Sequence, residues 1–446
     1  LIHPHPLRGK DRKEHGSHAR TGIDKASPIA LSALSSRAVH RPPRDRPMHL
    51  KPDTLAMTVM LAFMTALGPL ATDLYLPSLP HIGAALAANP AQVQLTLSAY
   101  LIGFSIGQVF YGPLSDALGR KPVLTGGFIL FLAASLLCAA ATSIEMLILA
   151  RAFQAFGGAG PIILARTIVR DLYHGARAGR EMSIMGSITG ITPIIAPILG
   201  GVLQVALGWR SIFLAMAAGG LILALLALLR LPETNRYRNR DNLSVAIILT
   251  SYGIVLRNKA YRIYAALLAL SYAGLFAFIS ASSFILQNIY GLDEITFGLA
   301  FGICSVSFVA GTMIGTRLVT KHGSDHTIGV GVIYLALGGV GQWIGLVLFP
   351  KALLAIIFPE MLFFIGIGLV LPQAMAAAMA PFPERAGAAS SLAGFLQMVS
   401  ASGAGVLVVA FLNSNAMPLV IASAISGVLA FGVFMMTRNL RAAQKH

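Results

Sequence analysis

Twelve apolar segments are the feature of this sequence that most constrains its fold. Each is close to or above the roughly 20 residues that an α-helix needs to cross the hydrocarbon core of a membrane. Hydrophobic residues make up 56% of the chain and charged residues only 11%, whereas about 25% of a soluble chain is charged. The sequence therefore predicts an all-α membrane protein with twelve transmembrane helices. The predicted spans are 55–78, 92–113, 122–141, 145–166, 182–206, 211–230, 262–287, 294–316, 326–349, 352–378, 386–411 and 417–437.

The spans form two sets of six, separated by the LPET segment at 231–234 and the charged run 236–241. Six plus six is typical of transporters built from two pseudo-symmetric six-helix bundles. Residues 243–256 are apolar but too short to span, and Arg240 and Arg257 flank them, so they predict an interfacial helix. The predicted organisation is a tail at 1–50, a bundle at 51–230, a linker at 231–261, a bundle at 262–438 and a cytoplasmic tail at 439–446.

The first 50 residues have neither helical nor strand periodicity, and their basic, Pro-rich and Ser-rich composition predicts disorder. They contain no continuous apolar run of the kind that a cleaved secretory signal needs. Met48 lies a few residues before the first span, and we hypothesise that it is the biological start.

Most of the residues behind the net charge of +16 lie on one side of the predicted spans. Nineteen lysines and arginines fall in the inside loops and C-terminal tail, against Arg210 and Lys351 in the outside loops. The positive-inside rule then places both termini in the cytoplasm. The basic charge is explained by orientation, so nucleic acid is not an expected partner.

Motifs for enzyme chemistry are not found. The sequence has no Walker loop, no HExxH and no cluster of paired Cys or His residues. Cys138 and Cys304 lie in opposite halves, which argues against a disulfide and against a metal site. We expect no enzyme activity, no cofactor and no metal, and a pump without a nucleotide site must use an ion gradient.

Two charged residues lie inside predicted spans of the first half. Asp73 is about eighteen residues into the first span, where a buried carboxylate costs on the order of 3 kcal/mol, so it should face a cavity or a cation. Arg151 could lie at similar depth and pair with it, with Gln154 extending the polar face. We expect Asp73 to bind a proton or to contact a polar substrate, and binding of a proton or a drug could break its pair with Arg151. The alternatives are that Asp73 is solvated or marks a helix break beside Pro69 and Pro77, and that Arg151 extends to the headgroups.

Glu360 lies about nine residues into the tenth span and could be a proton site of the second half, unless it is close to the outer rim near Lys351. Neutral polar residues on other spans could line a cavity or simply hold helices together. They are Tyr100, Gln108, Gln154, Gln204, Gln373 and Gln397.

Two motifs have the residue types expected of a turn between helices and of a flexible helix interface. In the stretch 112–121, Gly112 and Gly119 permit a tight turn, Asp116 is placed to accept from the first amides of the next helix, and Arg120 and Lys121 mark the cytoplasmic rim. The stretch 315–323 occupies the same place in the second half but has no acidic residue. In the fifth span, small residues permit close helix approach and prolines permit bending, which suits a moving interface. The alternative is ordinary tight packing of membrane helices. They are Gly186, Gly190, Pro193, Ala196, Pro197, Gly200 and Gly201.

Together these motifs resemble the bicyclomycin and chloramphenicol resistance subfamily of the major facilitator superfamily, over residues 55–438. The markers are ATDLYLPSLP at 71–80, GPLSDALGRKP at 112–122, RAFQAFGGAG at 151–160, APILGG at 196–201, GWRSIF at 208–213, LPET at 231–234 and PERAGAASSLAGF at 383–395.

The resemblance implies a proton-driven exporter of hydrophobic or amphipathic small molecules in a bacterial inner membrane, working as a monomer by alternating access. It implies that Asp116 and Arg120 lock an inner gate near 385–387, that Arg151 is linked to proton coupling, and that Pro197, Gly200 and Gly201 belong to an antiporter motif. Ala196 replaces the glycine of the broader antiporter pattern. A carrier of one metabolite class and a non-transporting receptor are the alternatives.

Overall fold

The protein is described here by a computed structural model that covers residues 54–173, 175–235, 245–382, 385–412 and 415–442. The predicted disorder of 1–50 and the proposed start at Met48 lie outside these ranges, as does the whole charged run 236–241.

The described chain is helical almost throughout. The helices are α1 (Leu55–Asp73), α2 (Leu79–Ala85), α3 (Pro90–Leu118), α4 (Arg120–Ala139), α5 (Ile144–Leu172), α6 (Gly175–Leu207), α7 (Trp209–Arg230), α8 (Val245–Arg257), α9 (Lys259–Ser283), α10 (Glu294–Leu348), α11 (Leu354–Met379), α12 (Ala386–Ala410), α13 (Met417–Met436) and α14 (Arg438–Ala442). A 3₁₀ turn at Leu76–Ser78 follows α1, and a π-helical turn at Phe284–Ile289 follows α9.

Eleven helical stretches within the described residues are long and apolar enough to cross a membrane. One of them, α10, has 55 residues and is divided by Gly323, whose φ of 83° and ψ of 169° are not helical. Its two arms correspond to the eighth and ninth predicted spans. The short helix α8 has 13 residues, as expected for a segment that does not span.

Large aliphatic side chains cover the outer surface of the helices. Leu55, Leu207, Leu354 and Met436 are each more than 70% exposed, at 78%, 72%, 73% and 89%. Water would disfavour so much exposed apolar area, whereas lipid does not. The surface is therefore that of a protein embedded in a bilayer.

The helices pack as two sets. In the first, α3, α4 and α5 pack against one another, α1 lies on α5 and α6, and α7 lies on α4. In the second, the arms of α10 pack on α11 and α13, and α9 packs on α11, α12 and α13. The main contacts between the sets are α6 with α10 and α3 with α12. The residue limits predicted for the two bundles stay a prediction.

Glycines occupy equivalent turns in the two sets. Gly119, with φ 106° and ψ 154°, separates α3 from α4, and Gly323 separates the arms of α10. Both conformations lie in a region that is open to glycine and costly for other residues. These turns end the stretches 112–119 and 315–323. The two stretches that occupy the same place in each half therefore also share a glycine turn with positive φ.

Candidate transport site

Arg151 on α5 is fully buried in a cage of aromatic rings. Its Cζ lies 4.3 Å from the ring centroid of Tyr100, 4.7 Å from that of Tyr75 and 5.8 Å from that of Phe213. The faces of aromatic rings carry partial negative charge and attract a guanidinium. The alternative in which Arg151 extends to the headgroups is wrong, because its side chain ends inside the first half.

The hydrogen bonds of Arg151 leave part of its charge unmatched. Nη1 donates to the carbonyl of Ala71 at 3.1 Å and to Oε1 of Gln154 at 2.6 Å. Within the described residues, Nε and Nη2 are buried and have no hydrogen-bond partner. Unpaired buried donors on a cation are costly, so they mark a position where an anion or a polar acceptor is stabilised.

Gln154 links helices, and its predicted role in lining a cavity stays a prediction. It is fully buried, and its Nε2 donates to the hydroxyl of Ser135 at 2.8 Å and approaches the sulfur of Met216 at 3.4 Å. Because its Oε1 accepts from Arg151, the amide orients the guanidinium. Gln154 is thus a supporting residue of the cation.

Asp73 is the last residue of α1 and is 5% exposed. Its Oδ1 lies 3.2 Å from the hydroxyl of Thr72, and it forms no ion pair with Arg151. The solvated alternative is wrong, whereas α1 does end at Asp73, as the helix-break alternative expects. The predicted pair is not formed, because the guanidinium contacts the carbonyl two residues earlier.

Glu360 on α11 is fully buried, so the alternative of an outer-rim position is wrong. Nε2 of Gln342, on the second arm of α10, donates to its Oε2. The second oxygen of Glu360 and Oε1 of Gln342 have no hydrogen-bond partner among the described residues. The carboxyl group therefore lies inside the second half, beside a neutral amide.

The predicted gate motif begins inside a helix. Gly112 lies on α3, which continues to Leu118, so only Gly119 makes the turn. Asp116 is in the last turn of α3 and pairs with Arg120 rather than with amides of α4. The prediction that Asp116 caps the next helix is wrong, because the helix extends past it. Lys121, on the first turn of α4, is partly buried.

Arg120 is the centre of a network on the first half. Besides Asp116, it contacts Oδ2 of Asp171 at 3.2 Å and the hydroxyl of Ser115 at 2.7 Å. Thr234 also donates to Oδ2 of Asp171, at 3.1 Å. Besides its predicted position at the cytoplasmic rim, Arg120 therefore connects the ends of α3 and α5 to the start of α4.

Glu233, in the LPET segment, caps the start of α4, the role predicted for Asp116. Its carboxylate accepts from the backbone amide of Arg120 at 2.9 Å and from that of Lys121 at 3.4 Å. Asn235 donates to the carbonyls of Ser115 and Asp116 at 3.2 and 3.0 Å. The segment after α7 therefore closes the end of α3 and the start of α4. A carboxylate distant in sequence gives no local capping pattern, which is why sequence reasoning missed it.

The antiporter motif places α6 between the two halves. A Cβ on Gly200 would overlap the carbonyl oxygen of Leu74, and one on Gly201 would lie 2.5 Å from the carbonyl oxygen of Glu294. These close approaches agree with the alternative of tight helix packing, and a moving interface stays a prediction. Pro193 and Pro197 lie inside the uninterrupted helix. A Cβ on Gly186, nearer the other end of α6, would meet nothing within 4 Å, so the tight contact is confined to one end.

The remaining polar candidates have different environments. Tyr100 is buried, and its hydroxyl donates to the carbonyl of Gly68 at 3.3 Å. Gln108 packs against Gly394 of α12, where a Cβ would overlap its Oε1. Gln204 accepts from Ser78 at 2.7 Å. Gln373 and Gln397 are partly and largely buried, respectively, and a cavity role for either stays a prediction.

Three side-chain hydrogen bonds join the two halves within the described residues, and sequence reasoning missed all of them. His81 contacts Glu294, with Nε2 2.5 Å from Oε1. Gln287 donates to the carbonyl of Pro77 at 3.0 Å, and Gln94 donates to the hydroxyl of Ser280 at 2.8 Å. Each pair is about 200 residues apart in sequence, so no local pattern could have identified it.

The helical spans, the lipid-facing surface and the buried charges at the helix ends and between helices define a multi-pass membrane transporter. The chain belongs to the Major Facilitator Superfamily, whose family model matches residues 61–406. The predicted fold class of two pseudo-symmetric six-helix bundles is thereby confirmed, and membership indicates a transporter rather than an enzyme.

Relatives agree with the predicted subfamily. The chain is 31% identical over 402 residues to the bicyclomycin resistance protein homolog of Haemophilus influenzae, covering 88% of this chain and 99% of that protein. It is 30% identical over 356 residues to multidrug resistance protein D of Escherichia coli, covering 79% and 87%. A solved bacterial homolog of the human lysosomal transporter Spinster has a TM-score of 0.70 at 14% identity, covering 87% of this chain and 98% of that one, and so shares the fold.

Proposed function

We propose that this protein is a proton-driven exporter of several hydrophobic or amphipathic small molecules. The observation that carries the proposal is the buried Arg151, whose Nε and Nη2 have no hydrogen-bond partner within the described residues. A cation held in this way in an aromatic cage offers rings to apolar solutes and donors to polar ones. The names of the relatives, which include bicyclomycin resistance and multidrug resistance, support drugs as the solute class.

Proton coupling is assigned to Asp73, with Arg151 as its electrostatic partner. Arg151 donates to the carbonyl of Ala71, two residues before Asp73. The ring of Tyr100 lies beside the cation, with its centroid 4.3 Å from Cζ of Arg151. Protonation of Asp73 removes a negative charge at the end of α1, where Arg151 is bound to the carbonyl of Ala71, and so changes the electrostatic field that acts on the cation. A solute that reaches Arg151 can make the same change, so proton and solute compete.

Glu360 is assigned a separate proton step in the second half. Glu360 lies on α11 and Arg151 on α5, which are the fourth predicted spans of the second and first halves. Each side chain is hydrogen-bonded to the amide group of a glutamine. Among the described residues no cation pairs with this buried carboxyl group, so gain or loss of a proton there changes the energy of the second half. Loss of this step should alter coupling without removing the solute contact at Arg151.

The conformation fits one end of an alternating-access cycle. Contacts of His81, Gln287 and Gly201 join the halves at the end where α10 begins. At the other end, Gly186 of α6 and Gly387 of α12 have no neighbour within 4 Å of an added Cβ. We interpret the joined end as the outer one, because the basic loops lie opposite, and the state as inward-facing. Both termini then lie in the cytoplasm of a bacterial inner membrane, and the working unit is the monomer.

Proton flux in proteoliposomes under an imposed pH gradient tests this proposal. Chloramphenicol and several cationic dyes are added to wild type, Asp73→Asn, Glu360→Gln and the surface control Glu145→Gln. We expect flux with several unlike compounds in wild type and in the control, and loss in Asp73→Asn. Flux with a single solute class would identify a dedicated carrier, and unchanged pH dependence in Asp73→Asn would remove Asp73 from the coupling.

A further inference from the structure

A groove of about 430 Å³ lies between the start of α9 and the end of α13, outside the proposed transport site. Its walls combine two cations with four aliphatic side chains. The lining residues are Lys259, Arg262, Ile263, Ala266, Val433 and Leu440. We propose that this groove binds an anionic phospholipid, with the headgroup phosphate at the cations and an acyl chain along the aliphatic wall.

The two cations are available for an anion. Lys259 and Arg262 are exposed, and neither forms an ion pair within the described part of the chain. Both lie in the first turn of α9, where the helix dipole disfavours positive charge. Their placement therefore does not stabilise the helix, and a phosphate between them would remove the repulsion.

The position of the groove matches the depth of a lipid. α9 begins at Lys259 and α13 ends at Met436, so these ends mark the headgroup level of the same leaflet. Ile263 and Ala266 follow one and two turns further into the membrane. The groove has cations at the membrane surface and an apolar wall below them. A phospholipid has its charged headgroup and its acyl chains at the same two levels.

Arg441 holds in place the wall of the groove that contains Leu440. Its guanidinium lies 3.6 Å from the ring centroid of Phe434, donates to Thr437 at 2.6 Å, and pairs with Asp325 at 2.6 Å. These contacts fix α14 against the end of α13, so that the neighbouring Leu440 lines the groove. They also neutralise Asp325, which leaves the groove cationic.

The test counts lipids bound to the purified protein by native mass spectrometry during titration with phosphatidylglycerol or phosphatidylcholine. We expect selective retention of phosphatidylglycerol, weakened by about 30-fold in the double variant Lys259→Gln/Arg262→Gln, as expected for two basic groups at an anionic lipid. The matched control Arg317→Gln/Lys321→Gln removes two exposed cations outside the groove and should retain wild-type binding. Equal weakening in both double variants would overturn the proposal.

A second variant tests the acyl-chain wall and guards against misfolding of the first. Ala266→Phe fills the apolar part without changing charge and should also reduce phosphatidylglycerol retention. Competition with inorganic phosphate separates a lipid from a free anion. If phosphate displaces phosphatidylglycerol fully and Ala266→Phe has no effect, the groove is an anion site and the lipid assignment is wrong.

Discussion

Nε2 of His81 lies 2.5 Å from Oε1 of Glu294, which joins the two halves across 213 residues of sequence. Glu294 is the first residue of α10, and its carbonyl is also the group that a Cβ on Gly201 would approach. One residue therefore makes a side-chain contact with α2 and a backbone contact with α6. The pair is a latch between the halves at the end that we interpret as the outer one.

Removing this latch should favour opening at that end. In His81→Ala we expect a longer distance between spin labels placed at Ala88 and Lys351, on a background without Cys138 and Cys304. The matched control is His322→Ala, which removes an exposed histidine at the opposite end of the first arm of α10. Unchanged distances in His81→Ala would show that backbone packing alone keeps this end closed.

Replacing Gly200 with alanine should separate α1 from α6. The added Cβ would overlap the carbonyl of Leu74, and a backbone atom cannot move aside as a side chain does. We expect a large loss of folded protein in detergent, measured by size-exclusion chromatography and thermal unfolding. Gly186→Ala, where an added Cβ meets open space, should behave as wild type; a similar loss there would contradict the proposed origin of the effect.

Glu233→Ala should destabilise the first half by about 1 kcal/mol, the usual loss for a helix N-cap. The change removes the acceptor for the amides of Arg120 and Lys121. Thermal unfolding of the purified protein measures it. Glu145→Ala removes an exposed acid from the first turn of α5 and serves as the control. Equal shifts in the two variants would argue against a specific cap.

Arg151→Lys should reduce transport by about tenfold or more, because an ammonium cannot keep the hydrogen bonds of a planar guanidinium stacked between rings. Drug-driven proton flux in proteoliposomes measures this. Arg210→Lys is the matched control, since Arg210 also lies over an aromatic ring, 4.1 Å from the centroid of Trp209, but on the exposed surface. Full activity in Arg151→Lys would mean that charge alone is sufficient.

Asp116→Asn should lower the transport rate while leaving membrane insertion intact. Arg120 keeps Asp171 and Ser115 as partners, so the fold should survive, whereas the gate motif loses its carboxylate. Initial rates of drug efflux at equal expression provide the measurement, with Asp293→Asn as a control, because asparagine is also a good N-cap. Wild-type turnover in Asp116→Asn would remove the proposed gate role.

Local sequence patterns anticipated the positions of most features but not their partners. The tight packing at Gly200 and Gly201 follows from small residues in a helix, and the burial of Asp73 and Glu360 follows from their depth within apolar spans. The pairing of Asp73 with Arg151 does not follow, because a guanidinium on a long side chain can reach several acceptors. Which acceptor it reaches depends on where α1 ends.

The sequence by itself determined a helical membrane protein with many spans, because each apolar run must satisfy its own backbone hydrogen bonds as a helix within lipid. It also placed Asp73, Arg151 and Glu360 within those runs, whereas the burial of Arg120 and Arg441 is decided by packing. Only the tertiary structure decided that Glu233 caps α4, that His81 meets Glu294, and that Arg151 lies among aromatic rings with two unpartnered donors. These contacts join residues far apart in the chain, and their formation depends on how the helices pack.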